Sequence, residues 1–376
     1  MRPVLLVTNI FPPHIGGPAT FIDRLGYALA ERGHQVTVVC VSDKATDPSD
    51  SARPFRVRRV HGAYQIVREI RTRMILAQEF LRHTLILVNG LEYPSYQIGA
   101  RLGRNYLLKV VGDNVWEAAR RAGLTALSID EFHPEPHLNP FLQRLTAQRD
   151  LYVKNAHQVI TPSDYLKRMV SGWGVEPSRI VTIPNGVPLH RYERFGPKRR
   201  EPGPFRAAFC GRLTNWKGVE TLFLSASGMK NVEIDVVGDG PEMPMLVMLA
   251  HQLQIGRTVK FYGRLAQEQV QNVLSMAHVL VLMSQYEGLS HTLLEACAMA
   301  LPCVATNCGG NPEVIEAGVH GFLIPYGEVE QLRISLERLQ DDEELRFQLA
   351  CNAKENSRRF DFDRTVVQTM EVMLNS

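Results

Sequence analysis

Short apolar runs alternate with longer amphipathic segments throughout the second half of the chain. The apolar runs are FRAAFC, VEIDVVG, TVKFYG, VLVLM, CVAT and GFLIP. Runs of this length are typical of buried strands, and the segments between them have the length and pattern of helices. We predict one helix that starts at Val219, a second that ends near Gln254 and a third at about 266–276. Such alternation is typical of a parallel sheet with right-handed crossovers.

The first half opens with the same kind of unit. Strand PVLLVT is followed by a loop with Gly16 and Gly17, a helical segment from about Ala19 to Arg32, and strand QVTVVC. Between the halves, ERFGPKRREPGP (193–204) has three prolines and no apolar periodicity, which predicts an interdomain linker. We therefore expect two doubly wound α/β domains, 1–192 and 205–357, facing each other across a cleft. Ligands of such sheets bind at the carboxyl ends of the strands.

Composition narrows the class of protein. The 376 residues are 45% hydrophobic and 22% charged, as in a globular protein. No run of about 18 uncharged apolar residues occurs, so no spanning helix is expected, and the N-terminus is a poor signal peptide. Six scattered cysteines without a Cys-x-x-Cys motif indicate buried free thiols in a reducing cytoplasm, so we expect a cytoplasmic protein.

The net charge of +3 conceals an asymmetry between the halves. Residues 1–200 carry 28 Lys and Arg against 17 Asp and Glu, whereas 201–376 carry 14 against 22. Residues 53–82 alone hold eight Arg and two Glu, interleaved with apolar positions. This pattern suggests peripheral contact with an anionic membrane at its inner face, or a lipid-linked acceptor. The alternative is a solvated helix and loop surface; nucleic acid is not an expected partner.

The stretch SQYEGLSHTLLEACAMALPCVAT (284–306) places two carboxylates in an otherwise apolar run. Ser290 is a good N-cap for a helix through Ala300, so Glu287 lies on the preceding loop and Glu295 on the second helical turn. The helix N-terminus suits a phosphate, and the two acids suit sugar and ribose hydroxyls. The alternative is an exposed loop residue and an exposed helix position.

Three other strand-end loops carry candidate residues. GRLTNWKG places Arg212 and Lys217 on one turn, where two cations neutralise a diphosphate unless they are merely solvated. In FPPHIGGPAT, Gly16 and Gly17 allow close approach of a ligand, or simply form a tight turn; the Gly-x-Gly-x-x-Gly dinucleotide motif is missing. In VVGDGPE, Asp239 contacts a ligand or caps the next helix.

One Asp-x-Asp pair, Asp361 and Asp363, has the spacing of metal-binding nucleotide-sugar enzymes. It precedes a helical segment and follows no strand. We therefore interpret it as the start of a helix and expect no metal site and no cofactor.

Taken together, these motifs resemble the retaining glycosyltransferases of family 4, which have the GT-B fold. EGLSHTLLE resembles the family's E-x7-E motif and GRLTNWKG its diphosphate loop. The segments GDGPE, PNGV, GGNPEVIEAGVHGFLIP and PPHIGGPAT resemble further family signatures in the family's order. The resemblance covers nearly the whole chain, and it implies that a last helix at about 358–376 packs back on the first domain.

The resemblance implies a role for each matching position. Arg212 and Lys217 would bind the donor's pyrophosphate and stabilise the charge that develops on it as the glycosidic bond breaks. Glu287 would hold the transferred sugar and polarise the reacting centre, which makes Arg212, Lys217 and Glu287 the implied catalytic residues. Glu295 would hold the ribose. The remaining implied donor contacts are Gly16, Gly17, Asp239, Arg264, Leu265, Gly288, Leu289 and Ser290. The family often has a His-Asp pair that reaches the donor sugar; here Gly112 stands in the His position and Asp113 is retained, with His14 a further candidate on the sugar or acceptor side.

We therefore expect a retaining, metal-independent transferase that moves a hexose from a UDP- or GDP-sugar to a hydroxyl acceptor. Cell-surface polysaccharide, glycolipid or secondary-metabolite glycosylation would fit such an enzyme. Two rivals remain: a non-catalytic nucleotide-sugar-binding protein, and a nucleotide-sugar epimerase or dehydrogenase, against which the missing dinucleotide motif argues.

Overall fold

The computed structural model describes residues 2–14, 16–132, 139–199 and 203–375. They form two compact units. The first comprises Met1–Val115, His133–Pro184 and Asp363–Ser376, and the second Trp116–Phe132 and Asn185–Phe362. The sequence offered no reason to separate 116–132 from the segments that flank it, and the predicted domain bounds remain a prediction.

The first unit is built on a seven-stranded parallel sheet of order β3-β2-β1-β4-β5-β6-β7. Its central strands are buried along nearly their whole length because helices cover both faces of a parallel sheet. The strands are β1 Pro3–Thr8, β2 Gln35–Val41, β3 Arg56–Val60, β4 Leu85–Asn89, β5 Leu107–Lys109, β6 Gln158–Thr161 and β7 Ile180–Thr182.

The second unit repeats this order in six parallel strands, β10-β9-β8-β11-β12-β13. The strands are β8 Phe205–Cys210, β9 Val232–Val237, β10 Val259–Gly263, β11 Val279–Leu282, β12 Cys303–Thr306 and β13 Gly321–Ile324. Each corresponds to one of the predicted apolar runs. The predicted fold class, with two doubly wound Rossmann-like sheets, is confirmed.

Helices connect the strands in both units. They are α1 Gly17–Glu31, α2 Gln65–Arg82, α3 Glu92–Leu102, α4 Asn114–Arg121, α5 Pro140–Lys154, α6 Asp164–Gly172, α7 Val219–Ala226, α8 Met243–Gln252, α9 Gln267–Met276, α10 His291–Ala298, α11 Asn311–Val314, α12 Val329–Asp341, α13 Glu343–Ser357 and α14 Phe362–Leu374. Asp363 lies in the first turn of α14. Within the described ranges, no helix is long and apolar enough to cross a membrane.

Helix α10 is shorter than its sequence predicted. It ends at Ala298, two residues before the predicted end at Ala300. Ala300 has a φ of 56°, and the amides of Ala300 and Leu301 donate to the carbonyls of Cys297 and Ala296. This is the Schellman pattern that closes many helices, with an alanine in the left-handed position that usually holds glycine. The prediction missed it because only a positive φ, not the sequence, shows the reversal.

The described part of the predicted linker, 193–199 and 203–204, packs on the second unit. Phe195 is buried in that unit's core, and Lys198 Nζ donates to the carbonyl of Ser275 at 2.9 Å. Arg194 donates to the side chain of Gln271 at 3.0 Å. One aromatic side chain anchors a segment whose composition is otherwise that of a flexible linker. All six cysteines are free thiols.

Candidate functional site

The second sheet has its switch point between β8 and β11. These strands are neighbours, but the chain leaves them in opposite directions, to β9 and to β12. A crevice at the carboxyl ends of two such strands is where open α/β sheets bind ligands. The loops that follow β8 and β11 carry Lys217 and Glu287, and the Lys217 Nζ lies 2.6 Å from Glu287 Oε1. The structure therefore brings together two of the three predicted catalytic residues.

A chain of hydrogen bonds fixes the Glu287 carboxylate. Ser284 Oγ donates to Glu287 Oε1 at 2.7 Å, and Thr306 Oγ1 donates to the carbonyl of Ser284 at 2.6 Å. Asn311 Nδ2 in turn donates to the carbonyl of Thr306 at 3.1 Å. Ser284, Thr306 and Asn311 are all buried. Glu287 is thus held from the ends of β11 and β12, while its own side chain stays 13% exposed and Lys217 18%.

Two glycines allow the loops to approach this closely. Gly218 has a φ of 65°, and a Cβ there would lie 2.0 Å from the carbonyl oxygen of Met283. Gly309 has a φ of 59°, and a Cβ there would lie 2.1 Å from the carbonyl oxygen of Glu287. A side chain at residue 218 would force the Lys217 loop away from the end of β11, and one at residue 309 would force the loop after β12 away from Glu287.

The other charged candidates of this unit are more exposed. Arg212, on the loop after β8, has an exposed guanidinium with no ion-pair partner among the described residues. The loop after β8 is hydrogen-bonded to the loop after β9, because the amide of Leu213 donates to the carbonyl of Asp239 at 3.1 Å. Arg264 Nε lies 3.6 Å from Asp239 Oδ2, which brings two predicted donor contacts together, with the half-buried Leu265 next in sequence.

The N-terminus of α10 lies directly after Glu287. Ser290 caps it, with its hydroxyl accepting from the amide of Leu293 at 3.4 Å, as the sequence predicted. Gly288, Leu289 and Ser290 are buried, and Asn185 Nδ2 donates to the carbonyl of Leu289 at 3.1 Å. The predicted phosphate-binding segment is therefore an ordered turn that leads into a helix dipole with its positive end at the site.

Glu295 lies one turn into α10 and accepts hydrogen bonds from two side chains. Gln267 Nε2 donates to Glu295 Oε1 at 3.1 Å, and the Tyr192 hydroxyl is a second donor. Burial raises the pKa of the Glu295 carboxyl above its usual value, and both hydrogen bonds oppose that shift. Burial also raises the pKa of Tyr192, so its hydroxyl stays a donor.

Sequence reasoning missed these partners of the two acids. Gln267 follows the predicted donor-binding turn at Arg264 and Leu265 by two residues, and this proximity in sequence could have marked it as a residue of the site. Tyr192 lies in the 3-10 turn Leu189–Tyr192 beside the linker, where nothing in the sequence marks it. Ser284, likewise, precedes the recognised motif.

The first unit holds the other predicted residues. Gly17 is the first residue of α1 and Gly16 its N-cap, while His14 is exposed on the preceding loop. Arg59, buried under this loop, pairs in bidentate fashion with Asp50 at 2.7 and 2.8 Å, and it also donates to the carbonyl of Pro12. Arg59, held by Asp50, therefore anchors the carbonyl of Pro12, two residues before His14. The contacts of His14, Gly16 and Gly17 with a donor remain a prediction.

Asp113, the retained half of the His-Asp pair, is occupied by the fold. Its Oδ2 accepts from Arg149 Nη1 at 3.0 Å, and its Oδ1 accepts from the amide of Val115 at 2.8 Å at the start of α4. Both side chains are buried, and the Arg149 guanidinium stacks 4.3 Å from the ring centre of Trp173. Gly112 precedes Asp113 on the loop after β5. A role for either residue in sugar binding is not shown by these contacts.

Two protein-family descriptions match adjacent parts of the chain. Residues 192–356 match glycosyl transferases group 1, and residues 15–191 match glycosyltransferase family 4. The chain belongs to the family 4 glycosyltransferases. The resemblance inferred from the motifs is thereby confirmed, and this glycosyltransferase has the GT-B fold and transfers a sugar from a nucleotide sugar.

Relatives match this glycosyltransferase over nearly its whole length. It is 25% identical to the N-acetyl-alpha-D-glucosaminyl L-malate synthase of Bacillus anthracis, over 92% of this chain and 90% of the relative. It is 27% identical to the GDP-mannose-dependent alpha-(1-6)-phosphatidylinositol monomannoside mannosyltransferase of Mycobacterium tuberculosis, over 91% and 90%. Its fold matches Anabaena HepE, solved with UDP-glucose, with a TM-score of 0.76, 20% identity and full coverage of both chains.

Proposed function

We propose that this glycosyltransferase moves a hexose from a UDP- or GDP-sugar to a hydroxyl acceptor, with retention of configuration and without a metal ion. One observation carries the proposal. Lys217 and Glu287 come from loops 70 residues apart and meet at 2.6 Å at the switch point, beside the N-terminus of α10. A cation, a carboxylate and a positive helix end at one place suit a diphosphate linked to a sugar.

The phosphate side is formed by cations and amides. The exposed Arg212 and the Lys217 ammonium would bind the pyrophosphate together with the amides that lead into α10. As the glycosidic C–O bond breaks, negative charge grows on the leaving phosphate, and fixed positive groups stabilise that charge. This is the work a divalent cation performs in metal-dependent enzymes, so the residues present make it dispensable.

The sugar side is formed by Glu287. Its carboxylate, fixed by Ser284, would accept hydrogen bonds from hydroxyls of the transferred sugar and stabilise the oxocarbenium-like carbon. The acceptor oxygen would attack from the face that the phosphate leaves, which retains configuration, and its proton would pass to the leaving phosphate oxygen. We assign Glu287 an electrostatic role and not that of the covalent nucleophile of a retaining glycosidase, because its Oε1 already accepts from both Lys217 and Ser284.

The nucleoside side is formed by Glu295 and the loop after β10. Held by Gln267 and Tyr192, the Glu295 carboxylate would accept from both ribose hydroxyls. Arg264 and Leu265 would contact the base, with Asp239 orienting the Arg264 guanidinium. Support for the two donor classes comes from the relatives: one depends on GDP-mannose and a protein of the same fold binds UDP-glucose.

A thermal-shift panel of UDP-, GDP- and ADP-sugars tests the donor, because binding raises the melting temperature without knowledge of the acceptor. We expect stabilisation by a UDP- or GDP-sugar, unaffected by EDTA. The anomeric configuration of the product, measured by NMR, tests retention. Binding without turnover across an acceptor panel would leave a non-catalytic binding protein. A nicotinamide absorbance in the purified protein, without sugar transfer, would favour the epimerase or dehydrogenase.

We further propose that the acceptor is lipid-linked and that α2 contacts an anionic membrane. The first turns of α2 expose Ile66, Ile70 and Met74, flanked by Arg68 and Arg71. An exposed apolar stripe beside cations is typical of helices that lie on a lipid surface. Fewer cations of the segment 53–82 can face a lipid surface than its sequence suggested. Arg53, Arg58 and Arg59 form ion pairs with Asp23, Glu79 and Asp50, respectively.

Co-sedimentation with vesicles tests this contact. We expect binding to vesicles with anionic lipid, weaker binding to neutral ones, and a loss in Ile70→Gln. The control is Ile334→Gln, because Ile334 on α12 is also 54% exposed. Sedimentation that is indifferent to anionic lipid, or equal in the two variants, would overturn the proposal.

A further inference from the structure

Trp116 is buried in the second unit, although the chain reaches that unit's sheet only at Phe205. It packs edge to face on two rings: its centroid lies 5.7 Å from that of Trp216 at 63°, and 5.6 Å from that of Tyr286 at 69°. Its indole Nε1 donates to the carbonyl of Leu127 at 3.1 Å. One indole, fully enclosed, thus contacts two loops that are 70 residues apart in sequence.

The two contacted rings immediately precede the paired charges of the site. Trp216 is followed by Lys217, and Tyr286 by Glu287. The loops are also joined directly, since the amide of Gln285 donates to the carbonyl of Trp216 at 2.7 Å. A shift of either ring moves the backbone of a charged neighbour, so the position of Trp116 bears on the Lys217–Glu287 distance.

Arg120, one turn further along α4, also contacts the loop that carries Lys217. Its guanidinium lies 5.8 Å from the Trp116 ring, and its Nη2 donates to the carbonyl of Asn215 at 3.4 Å. Its charge also opposes the rise in the pKa of Glu220 and Tyr326 that burial causes, which places Arg120 near the start of α7 and the end of β13. The segment therefore lies along the carboxyl ends of several strands of the second sheet.

We propose that Trp116 is a positioning residue of the transfer reaction, holding the Lys217 and Glu287 loops in register through Trp216 and Tyr286, with Arg120 supporting it. The inference rests on the proposed function for its catalytic consequence only. Catalysis depends on placing charges within a fraction of an ångström of the reacting atoms, and a 1 Å displacement costs on the order of 100-fold in rate.

Hydrogen exchange tests the loops without any donor. In the full chain, Trp116→Leu should accelerate amide exchange about tenfold in peptides covering 212–219 and 283–290, whereas exchange across the first sheet stays unchanged. Trp116→Phe should restore most of the protection. The control is Trp173→Phe, which removes a tryptophan of the first unit and should leave both loops as they are. Arg120→Met gives a milder second variant if Trp116→Leu unfolds.

Kinetics with the donor found in the thermal-shift panel separate positioning from binding. Trp116→Leu should lower kcat roughly 10- to 100-fold while the donor KM changes much less, and Trp116→Phe should recover most of kcat. Unchanged exchange in both loops of folded Trp116→Leu and Arg120→Met, or equal loss in the Trp173 control, would overturn the proposal. If no nucleotide sugar binds but the loops exchange faster, the proposed function fails and with it the catalytic consequence, whereas the role of Trp116 in holding the two loops stands.

Discussion

Charged side chains at the carboxyl ends of the two sheets are held in different ways. In the second unit, Lys217 and Glu287 are paired, both partly exposed, at a glycine-lined switch point. In the first unit, Asp113 is buried against Arg149, and Lys109, the last residue of β5, is buried with its Nζ lacking a hydrogen-bond partner among the described residues. The same strand order thus gives charges available to a ligand in one unit and charges bound into the fold in the other.

Because of this difference, we expect charges of the second unit to serve the transfer reaction and buried charges of the first unit to affect stability. Removing a charge at the switch point of the second sheet should affect transfer with little effect on folding. Removing one from the first unit should change the free energy of unfolding, because a buried charge that loses its partner retains its desolvation cost. The following variants test that distinction in order of decreasing expected effect.

Lys217→Ala should lower kcat about 100- to 1,000-fold, because it removes a fixed charge that stabilises the leaving phosphate. The melting temperature should change little, since Lys217 is partly exposed. Transfer assays with the identified donor, alongside calorimetry, measure both. Lys230→Ala, an exposed lysine of the same unit, is the control and should keep normal turnover. Near-normal transfer by Lys217→Ala would show that the site assignment is wrong.

Arg149→Met should destabilise the first unit by about 3 kcal/mol, because Asp113 would remain buried without its guanidinium partner. Chemical denaturation of the full chain, followed by a probe in the first unit, measures the change. Arg358→Met removes the exposed pair with Glu355 and should have a much smaller effect. A similar loss in both variants would mean that burial of the Asp113 pair contributes nothing particular.

Lys109→Met should stabilise the first unit at pH 7 by roughly 1 to 3 kcal/mol. Burial lowers the pKa of Lys109 from its usual 10.5 to about 8, and the Phe21 ring lies 4.3 Å from Nζ. The folded chain therefore binds fewer protons than the unfolded chain between these values, so wild-type stability rises with pH through that window. The gain from Lys109→Met should shrink between pH 8 and 10.5; a gain independent of pH would contradict the burial of a charge.

Ala300→Gly should stabilise the second unit by less than about 1 kcal/mol, because glycine adopts the left-handed conformation of residue 300 without steric cost. Ala298→Gly, at the last residue of α10, should have the opposite sign. Thermal denaturation compares the two. Destabilisation by both substitutions would show that the helix end is fixed by packing of the Ala300 side chain instead.

Much of the second unit follows from its sequence. Each of its strands corresponds to an apolar run, and Ser290 and Gly218 lie where capping and close approach require them. The site could be predicted in part because Lys217 and Glu287 lie in local motifs of loop and helix start. The partners Tyr192 and Ser284 could not, because neither lies in a pattern that distinguishes it from a structural residue.

The sequence by itself determined the alternation of strands and helices, the fold class and the family, since these depend on local apolar periodicity and on short motifs. Tertiary structure decided which charged side chains are available to a ligand. It placed Trp116 against Trp216 and Tyr286, turned Arg53 and Arg59 inward to Asp23 and Asp50, and put Ala300 in a left-handed conformation. Contacts between residues far apart in sequence set burial and ion pairing, and no local pattern of residues encodes them.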